Sequence, residues 1–293
     1  ELFERTLDHL LGRFVGVLRT KKGVFLYTDP IGALPCVYDE EQKIAAASPS
    51  AMPRMNHNRR FRTQLLNDIR RPFVSRGENT WIPGEITYYR GVKRLLPNHR
   101  LNLNTWEVSR YWPSERQEYS SISQGIDDII CLLQQIFNII EKRYENPKLS
   151  LTAGKDSRSL LAAGRSWAMD GTIPLFTIGN SDRDVDVHIA RRLTSAHDLS
   201  WTPLPIIEAN ETAQSRWSWR TGYTIGSAVK ETYTTMHNLT ADVELGGIGG
   251  EIGRSYLWKE SDKADTEIGP VDVLSRYHKP EHPELVATLG EWF

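Results

Sequence analysis

The stretch LTAGKDSR, residues 151–158, decides how the fold is read, because it joins a strand-like run to a helix-like run in a single turn. The strand-like run covers 148–152, and the helix-like run Ser-Leu-Leu-Ala-Ala follows at 159–163. Small residues let backbone N–H groups approach an anion closely, and a helix that begins beside them points its positive end at that anion. The turn therefore predicts either a phosphate site or an ordinary helix cap.

The charged residues of this turn favour a phosphate bound together with a metal ion. Lys155 could supply positive charge and Ser157 a hydroxyl group, whereas Asp156 would be repelled by a bare phosphate. A bridging Mg²⁺ would explain the acid. A second glycine-rich turn over 246–251 ends on Glu251, which could complete the protein ligands of that ion. The two turns form one site only if they meet in space, and neither has the spacing of a Walker loop.

The second half of the chain alternates between strand-like and helix-like patterns. Such alternation predicts a parallel sheet with helices packed on it. Ligands of such sheets bind beyond the carboxyl ends of the strands, so we expect both glycine turns to face one crevice. The predicted strands cover 148–152, 173–178, 201–206 and 242–245, and the predicted helices cover 157–167, 185–196 and 210–239.

The first half reads as short antiparallel strands separated by turn residues. Residues 13–47 form a predicted meander, and strands return over 87–112 with a hairpin turn at 102–105. A helical period begins at Ser121 or Ser123 and ends near Pro147. We place the domain boundary in the polar run before it, giving an antiparallel β domain over 1–115 and an α/β domain over 116–293.

Bulk properties exclude several classes of protein. The 293-residue chain has a formal net charge of −1, which indicates neither a nucleic-acid nor a membrane partner. The local basic patch over 54–71 is interpreted as a solvated face or a disordered loop, with RNA contact as the less favoured alternative. Cys36 and Cys131 match no metal or redox spacing, and no apolar run could span a bilayer. We therefore expect a reduced, cytoplasmic protein.

The order of these motifs resembles that of the asparagine-synthetase-like enzymes. Their pyrophosphate-binding loop, of the form SGGxDS, is similar to residues 152–157, where Thr152 and Ala153 replace the serine and the first glycine. A later motif, roughly LSGxGxDE, is similar to residues 245–251. Glu251 then stands where the family has its second magnesium-binding aspartate. The family's second strand and acid-led helix resemble residues 176–178 and 186–190.

The resemblance extends through the first half. Residues 11–14 and 27–35 look like the last strands of the family's glutamine amidotransferase domain, and 90–99 resembles the segment that leads into the synthetase domain. The implied fold is an incomplete class II amidotransferase-like β domain followed by a parallel-sheet PP-loop ATP pyrophosphatase domain. The family's glutaminase uses an N-terminal cysteine where this sequence has Glu1. We therefore expect no glutamine hydrolysis, and a processed, trimmed or partial chain.

The implied reaction is ATP-dependent amide-bond formation. A carboxylate of a small molecule or peptide attacks the α-phosphorus of ATP, and the acyl-adenylate is then captured by ammonia or by the substrate's own amine. The implied cofactors are ATP and Mg²⁺, with Asp156 and Glu251 on the metal and catalytic roles for Lys155 and Arg158. Arg158 could equally form a surface salt bridge, and Asp186 could orient substrate or cap its helix. The implied nucleotide-binding residues are Leu151, Thr152, Gly154, Lys155, Asp156, Ser157, Ile178 and Gly247.

Three alternatives stay open. The chain could be a nucleotide-binding pseudoenzyme or a subunit that depends on a complementing partner or on a homo-oligomer. It could instead be a binding module in which the aromatic-basic stretch 216–220 stacks bases or sugars. A PP-loop sulfurtransferase would want a catalytic cysteine near the loop, and Cys131 lies before it.

Overall fold

The structure, a computed structural model, describes residues 6–7, 10, 12–52, 61–70, 82–113, 121–221, 239–247, 262 and 267–291. Within them the fold is mixed α/β, with two antiparallel sheets and one four-stranded parallel sheet. The predicted combination of antiparallel sheets in the first half and a parallel sheet in the second is confirmed. None of the helices in these residues has the length and apolar composition needed to cross a membrane.

The described residues form short strands and helices in the following order. The strands of the described residues are β1 (Val15–Thr20), β2 (Gly23–Thr28), β3 (Val37–Asp39), β4 (Ile44–Ala46), β5 (Lys93–Arg94), β6 (His99–Asn102), β7 (Val108–Arg110), β8 (Pro147–Ser150), β9 (Leu175–Ile178), β10 (Trp201–Leu204) and β11 (Val243–Leu245). The helices are α1 (Thr63–Arg70), α2 (Ile122–Arg143), α3 (Lys155–Ala163), α4 (Arg165–Met169), α5 (Val185–His197), α6 (Glu211–Arg220), α7 (Pro270–Arg276) and α8 (Pro283–Gly290), with a 3-10 helix at Pro49–Ala51.

The chain divides into two compact units. The first comprises Glu1–Gln117, Gln214–Ala228 and Leu257–Phe293, and the second comprises Glu118–Ala213 and Val229–Tyr256. The predicted domains over 1–115 and 116–293 stay a prediction, and the first unit also includes stretches from the second half of the chain. A helical pattern marks an apolar face but does not say which core that face joins.

Short antiparallel strands build the first unit. One sheet has the order β1-β2-β6-β7 and the other β4-β3-β5. The predicted hairpin turn at 102–105 is confirmed, because β6 and β7 pair in antiparallel register from His99 opposite Arg110. Helices α7 and α8 complete the core, where Leu274, Leu285 and Leu289 pack with residues of α1 and with Val37 of β3.

The second unit is built on the parallel sheet, whose strand order is β10-β9-β8-β11. The chain proceeds from β8 outward to β9 and β10, and then returns to the opposite side of β8 to form β11. The strand order therefore reverses between β8 and β11. In open α/β sheets, a crevice for ligands lies at the carboxyl ends of the strands where this reversal occurs.

Helix α2 joins the core of the second unit through its C-terminal half. Its start is capped as predicted, since Ser121 Oγ accepts a hydrogen bond of 3.2 Å from Gln124 N. Phe137 and Ile140 are buried with the apolar residues of β8, β9, α3 and β11. Isoleucines of the N-terminal half remain exposed, so the apolar face predicted along this helix is only partly buried.

The helix predicted over 157–167 is two helices. Helix α3 begins at Lys155 and ends at Ala163, and α4 begins at Arg165. Gly164 lies between them because a Cβ at this position would be 2.3 Å from Cζ of Phe137. The Phe137 ring also stacks on Trp167, with ring centroids 5.2 Å apart. Of the helix predicted over 210–239, residues 222–238 lie outside the described residues.

The two cysteines differ in their surroundings, and a thiol reagent at about pH 8 is expected to modify Cys131 of the folded chain but to reach Cys36 only after denaturation. Burial raises the pKa of the Cys36 thiol to about 11, which leaves little of the reactive thiolate. Cys131 is exposed on α2. Mass spectrometry after labelling checks this result. The Cys131→Ser variant should show no fast labelling, and two fast-reacting thiols in the unsubstituted chain would contradict the expectation.

Candidate functional site

The turn at 151–158 lies at the carboxyl end of β8 and leads directly into α3. Gly154 is the N-cap residue, with an extended backbone and no side chain to cap the helix. Asp156 is in the first helical turn and is therefore not the N-cap residue. The first backbone N–H groups of a helix have no acceptor within it and carry the positive end of the helix dipole. The turn thus differs from a helix start capped by a side chain.

Two hydroxyl groups hold the loop over 152–157 in shape. Ser157 is buried, and its Oγ accepts a hydrogen bond of 3.0 Å from Thr152 N and lies 2.9 Å from Thr152 Oγ1. Thr152 Oγ1 accepts a hydrogen bond of 3.1 Å from Gly154 N. Both hydroxyls were expected to hold phosphates. In the structure they bond within the loop, which gives them a part in its shape that the sequence did not reveal.

Asp186, in the first turn of α5, also bonds to this loop. Asp186 Oδ1 accepts a hydrogen bond of 2.8 Å from the backbone N–H of Ala153. The cap of α5 is Asp184, whose Oδ2 accepts hydrogen bonds from the backbone N–H groups of Asn180 and Ser181. The prediction that Asp186 caps this helix is therefore wrong, and its carboxylate bonds to the loop instead.

The two glycine turns meet in space. Gly247 follows β11, and a Cβ at this position would lie 2.5 Å from Ser157 N and 2.8 Å from the carbonyl carbon of Asp156. Both are backbone atoms of the first turn of α3, so only glycine fits without displacing them. The condition that the two turns meet is satisfied at Gly247, whereas the rest of the second turn lies outside the described residues. Glu251, the second predicted metal ligand, lies outside the described residues.

The charged residues at the start of α3 present two cations to solvent. Lys155 and Arg158 are exposed and three positions apart, a spacing that places them on one side of the helix. Arg158 Nε donates a hydrogen bond of 3.2 Å to the carbonyl oxygen of Gly154. Within the described residues no carboxylate forms an ion pair with either cation. The salt bridge considered for Arg158 is thus not observed in this part of the chain.

A magnesium ion fits the turn only together with phosphate oxygens. The described residues contain no cluster of three or more histidine, cysteine or carboxylate side chains that could hold a metal ion. Mg²⁺ is commonly held by one or two carboxylates, with water and substrate phosphates completing its coordination. Asp156, half-buried in the first turn of α3, satisfies this smaller requirement.

The resemblance implies three residues on the adenosine side, Leu151, Ile178 and Gly247, and they occupy different environments; Gly247 packs against the first turn of α3. The Leu151 side chain is fully buried in the core, and its carbonyl oxygen accepts a hydrogen bond of 2.6 Å from Thr177 Oγ1. Trp201 Nε1 in turn donates to Thr177 Oγ1 over 2.8 Å. Leu151 therefore anchors the start of the loop in the core and has no exposed surface that a ligand could contact. Ile178 ends β9 and is half-buried, so it remains available at the rim.

The aromatic-basic stretch 216–220 forms the end of α6. Trp219 is exposed, whereas Trp217 is half-buried. Residues two apart on a helix do not face the same side, so the two indoles do not form one stacking surface. The structure thus gives no geometric support to the base- or sugar-stacking alternative in this stretch.

Family models and curated proteins were compared with the chain. No protein-family model matches the chain. No curated protein matches its sequence either. The functional interpretation therefore depends on the geometry of the two glycine turns and on the resemblance of the motifs.

Proposed function

We propose that the chain is an ATP-dependent amide-bond synthetase of the asparagine-synthetase-like type, which forms AMP and pyrophosphate. The observation that carries this proposal is the contact of Gly247 with the first turn of α3, between the strands where the sheet order reverses. In this proposal the parallel-sheet unit is the PP-loop synthetase domain and the antiparallel unit is the amidotransferase-like remnant.

Positive groups at the start of α3 would bind the phosphates of ATP. The helix N-terminus carries positive charge, and Lys155 and Arg158 add two exposed cations to the first turns of the same helix. Asp156 would hold Mg²⁺ together with phosphate oxygens, and the ion would neutralise charge on the nucleotide. Glu251 is proposed as the second carboxylate on the metal, as the motif resemblance implies. Gly154 and Gly247 would serve by admitting the phosphates close to the backbone, and Ile178 by bordering the adenosine.

The chemistry would be carried by charge stabilisation. As the substrate carboxylate attacks the α-phosphorus, negative charge builds on the phosphoryl oxygens and on the departing pyrophosphate. Cations and N–H groups fixed before the reaction stabilise this charge without further reorganisation. Lys155 and Arg158 are the side chains proposed for that task. Ammonia or an amine of the substrate would then displace AMP from the acyl-adenylate and form the amide.

A nucleotide-binding chain without turnover is the second candidate. The observation that favours it is that the Thr152 and Ser157 hydroxyls form hydrogen bonds inside the loop, although the motif resemblance implies that they hold phosphates. Such a chain would act as a pseudoenzyme or as a subunit of a homo-oligomer or of a complementing partner. Pyrophosphate exchange separates the two candidates, because only a synthetase incorporates labelled pyrophosphate into ATP when a carboxylate substrate is present.

Titration calorimetry of ATP into the chain tests the site. We expect binding that requires Mg²⁺ and a Kd that rises at least about tenfold, or about 1.4 kcal/mol, in Asp156→Asn, because asparagine keeps the shape but loses the charge that attracts the ion. Asp127→Asn, on the exposed surface of α2, is the matched control and should bind as the unsubstituted chain does. Absence of binding, or equal Mg²⁺-ATP binding by Asp156→Asn, would contradict the proposal.

A further inference from the structure

We infer that Asp186 is a positioning residue, which holds the loop over 152–157 in its nucleotide-binding shape through the backbone N–H of Ala153. The effect on nucleotide affinity rests on the proposed function, whereas the effect on the loop itself does not. The hydrogen bond of 2.8 Å joins residues 33 positions apart, and it connects the loop after β8 to the helix after β9.

Asp186 is presented by a well-supported element. Val187 and Ala190, on the same helix, are buried. The connection before α5 is fixed by Asp184, which bonds to two backbone N–H groups of the turn. Gly179 packs closely under this turn, since a Cβ there would lie 2.4 Å from Cγ2 of Val187. These contacts fix the start of α5 and therefore the position of the Asp186 carboxylate that bonds to the loop.

Ala153 is where the loop needs an external partner. The N–H of Thr152 bonds to Ser157, and the N–H of Gly154 bonds to Thr152, so both are satisfied within the loop. Among these three consecutive amides only that of Ala153 donates to a residue outside the loop. On the opposite side, Gly247 packs against the first turn of α3. The loop is thus held from within, from the β9 side and from the β11 side.

The hydrogen bond requires an acceptor at position 186 but not a negative charge. Asparagine retains a side-chain oxygen at the same place, whereas alanine removes it and leaves the Ala153 N–H without its partner. A loop that must be ordered at the moment of binding has lower affinity than one that is ordered beforehand. Alanine and asparagine at this position should therefore behave differently, which distinguishes a positioning role from a role in which charge is needed.

The experiment compares Asp186→Ala and Asp186→Asn in two measurements. Hydrogen exchange of the Ala153 amide, followed by NMR in the full chain without nucleotide, should accelerate at least about tenfold in the alanine variant and stay within about twofold in the asparagine variant. The Kd for Mg²⁺-ATP should rise about tenfold in the alanine variant and remain within about twofold in the asparagine variant. Asp182→Ala is the matched control. It lies in the turn between β9 and α5 and loses only the exposed ion pair with Arg191, so neither the exchange rate of Ala153 nor the Kd should change.

Two results for the affinity would overturn the inference. Equal loss of affinity in both variants would mean that the charge is required, as for a metal ligand. Tighter nucleotide binding by the alanine variant would mean that the carboxylate competes with phosphate for the loop. If the unsubstituted chain binds no nucleotide, the proposed function fails but the exchange measurement still decides: faster exchange at Ala153 in Asp186→Ala alone supports positioning, and unchanged exchange refutes it.

Discussion

Replacing Gly247 with alanine is expected to raise the Kd for Mg²⁺-ATP by more than about tenfold and to lower the free energy of unfolding by about 1–3 kcal/mol. The added methyl group would lie 2.5 Å from Ser157 N and 2.9 Å from Cβ of Asp156. Gly247 does not have a positive φ, so the effect is steric. The first turn of α3 must move to relieve the contact, and the groups proposed to bind phosphate move with it.

Gly125→Ala is the matched control for this substitution. Gly125 lies in α2 and has no heavy atom within 4 Å of the position of an added Cβ. Alanine is favoured over glycine in a helix by roughly 0.5–1 kcal/mol, so this variant should be slightly more stable and should bind nucleotide unchanged. Calorimetry and urea denaturation of both variants give the comparison. Normal affinity in Gly247→Ala would show that the contact between the two turns has no part in binding.

The second large effect is expected at the junction of α3 and α4, where Gly164→Ala should cost about 1–3 kcal/mol of stability. An alanine Cβ would lie 2.3 Å and 2.4 Å from two ring atoms of Phe137. The backbone of Gly164, with φ of −98°, is accessible to any residue, so the loss would come from overpacking alone. The Phe137 ring is buried and stacked on Trp167, which leaves it little room to move.

A double-mutant cycle tests this explanation. Phe137→Leu removes part of the ring and should destabilise the chain on its own, because it leaves a cavity in the core. In the double variant the smaller side chain makes room for the methyl group of alanine. We expect the double variant to lose less free energy of unfolding than the sum of the losses of the two single variants. The difference should be about 1 kcal/mol or more, as measured by urea denaturation. Strictly additive losses would show that the ring is not what excludes a side chain at position 164.

The order of strands and helices in the second unit could be predicted because each element has its own local pattern of apolar and polar residues. Apolar runs of strand length, separated by helical periods, indicated β8 and β9 with α3 and α5 between and after them. The turn at 151–158 stood out since its small and charged residues suit neither a core strand nor the middle of a helix. The contact of Gly247 with α3 was harder to predict from the sequence. It depends on β11 lying beside β8, and periodicity does not specify strand order.

The parts that the sequence did not reveal are contacts between residues distant in the chain. Asp186 was weighed as a helix cap or a substrate ligand, because an acid near a helix start is commonly one of these. Its partner is the backbone N–H of Ala153. Every residue except proline has such a group, so the residue type does not reveal the contact. Helices α7 and α8, which the sequence analysis does not predict, likewise pack with residues far away in the chain, such as Val37 and those of α1. An amphipathic pattern shows that a face is buried without naming what buries it.

The line of hydrogen bonds from Trp201 through Thr177 to the carbonyl of Leu151 has a consequence for how the turn could be transplanted. The octapeptide 151–158 takes its shape from three strands and from the helix after β9. A graft of this peptide into another scaffold would carry its composition and lose its conformation. The smallest portable unit is therefore the whole four-stranded sheet from β8 to β11 with its connections, and a designer would have to move all of it.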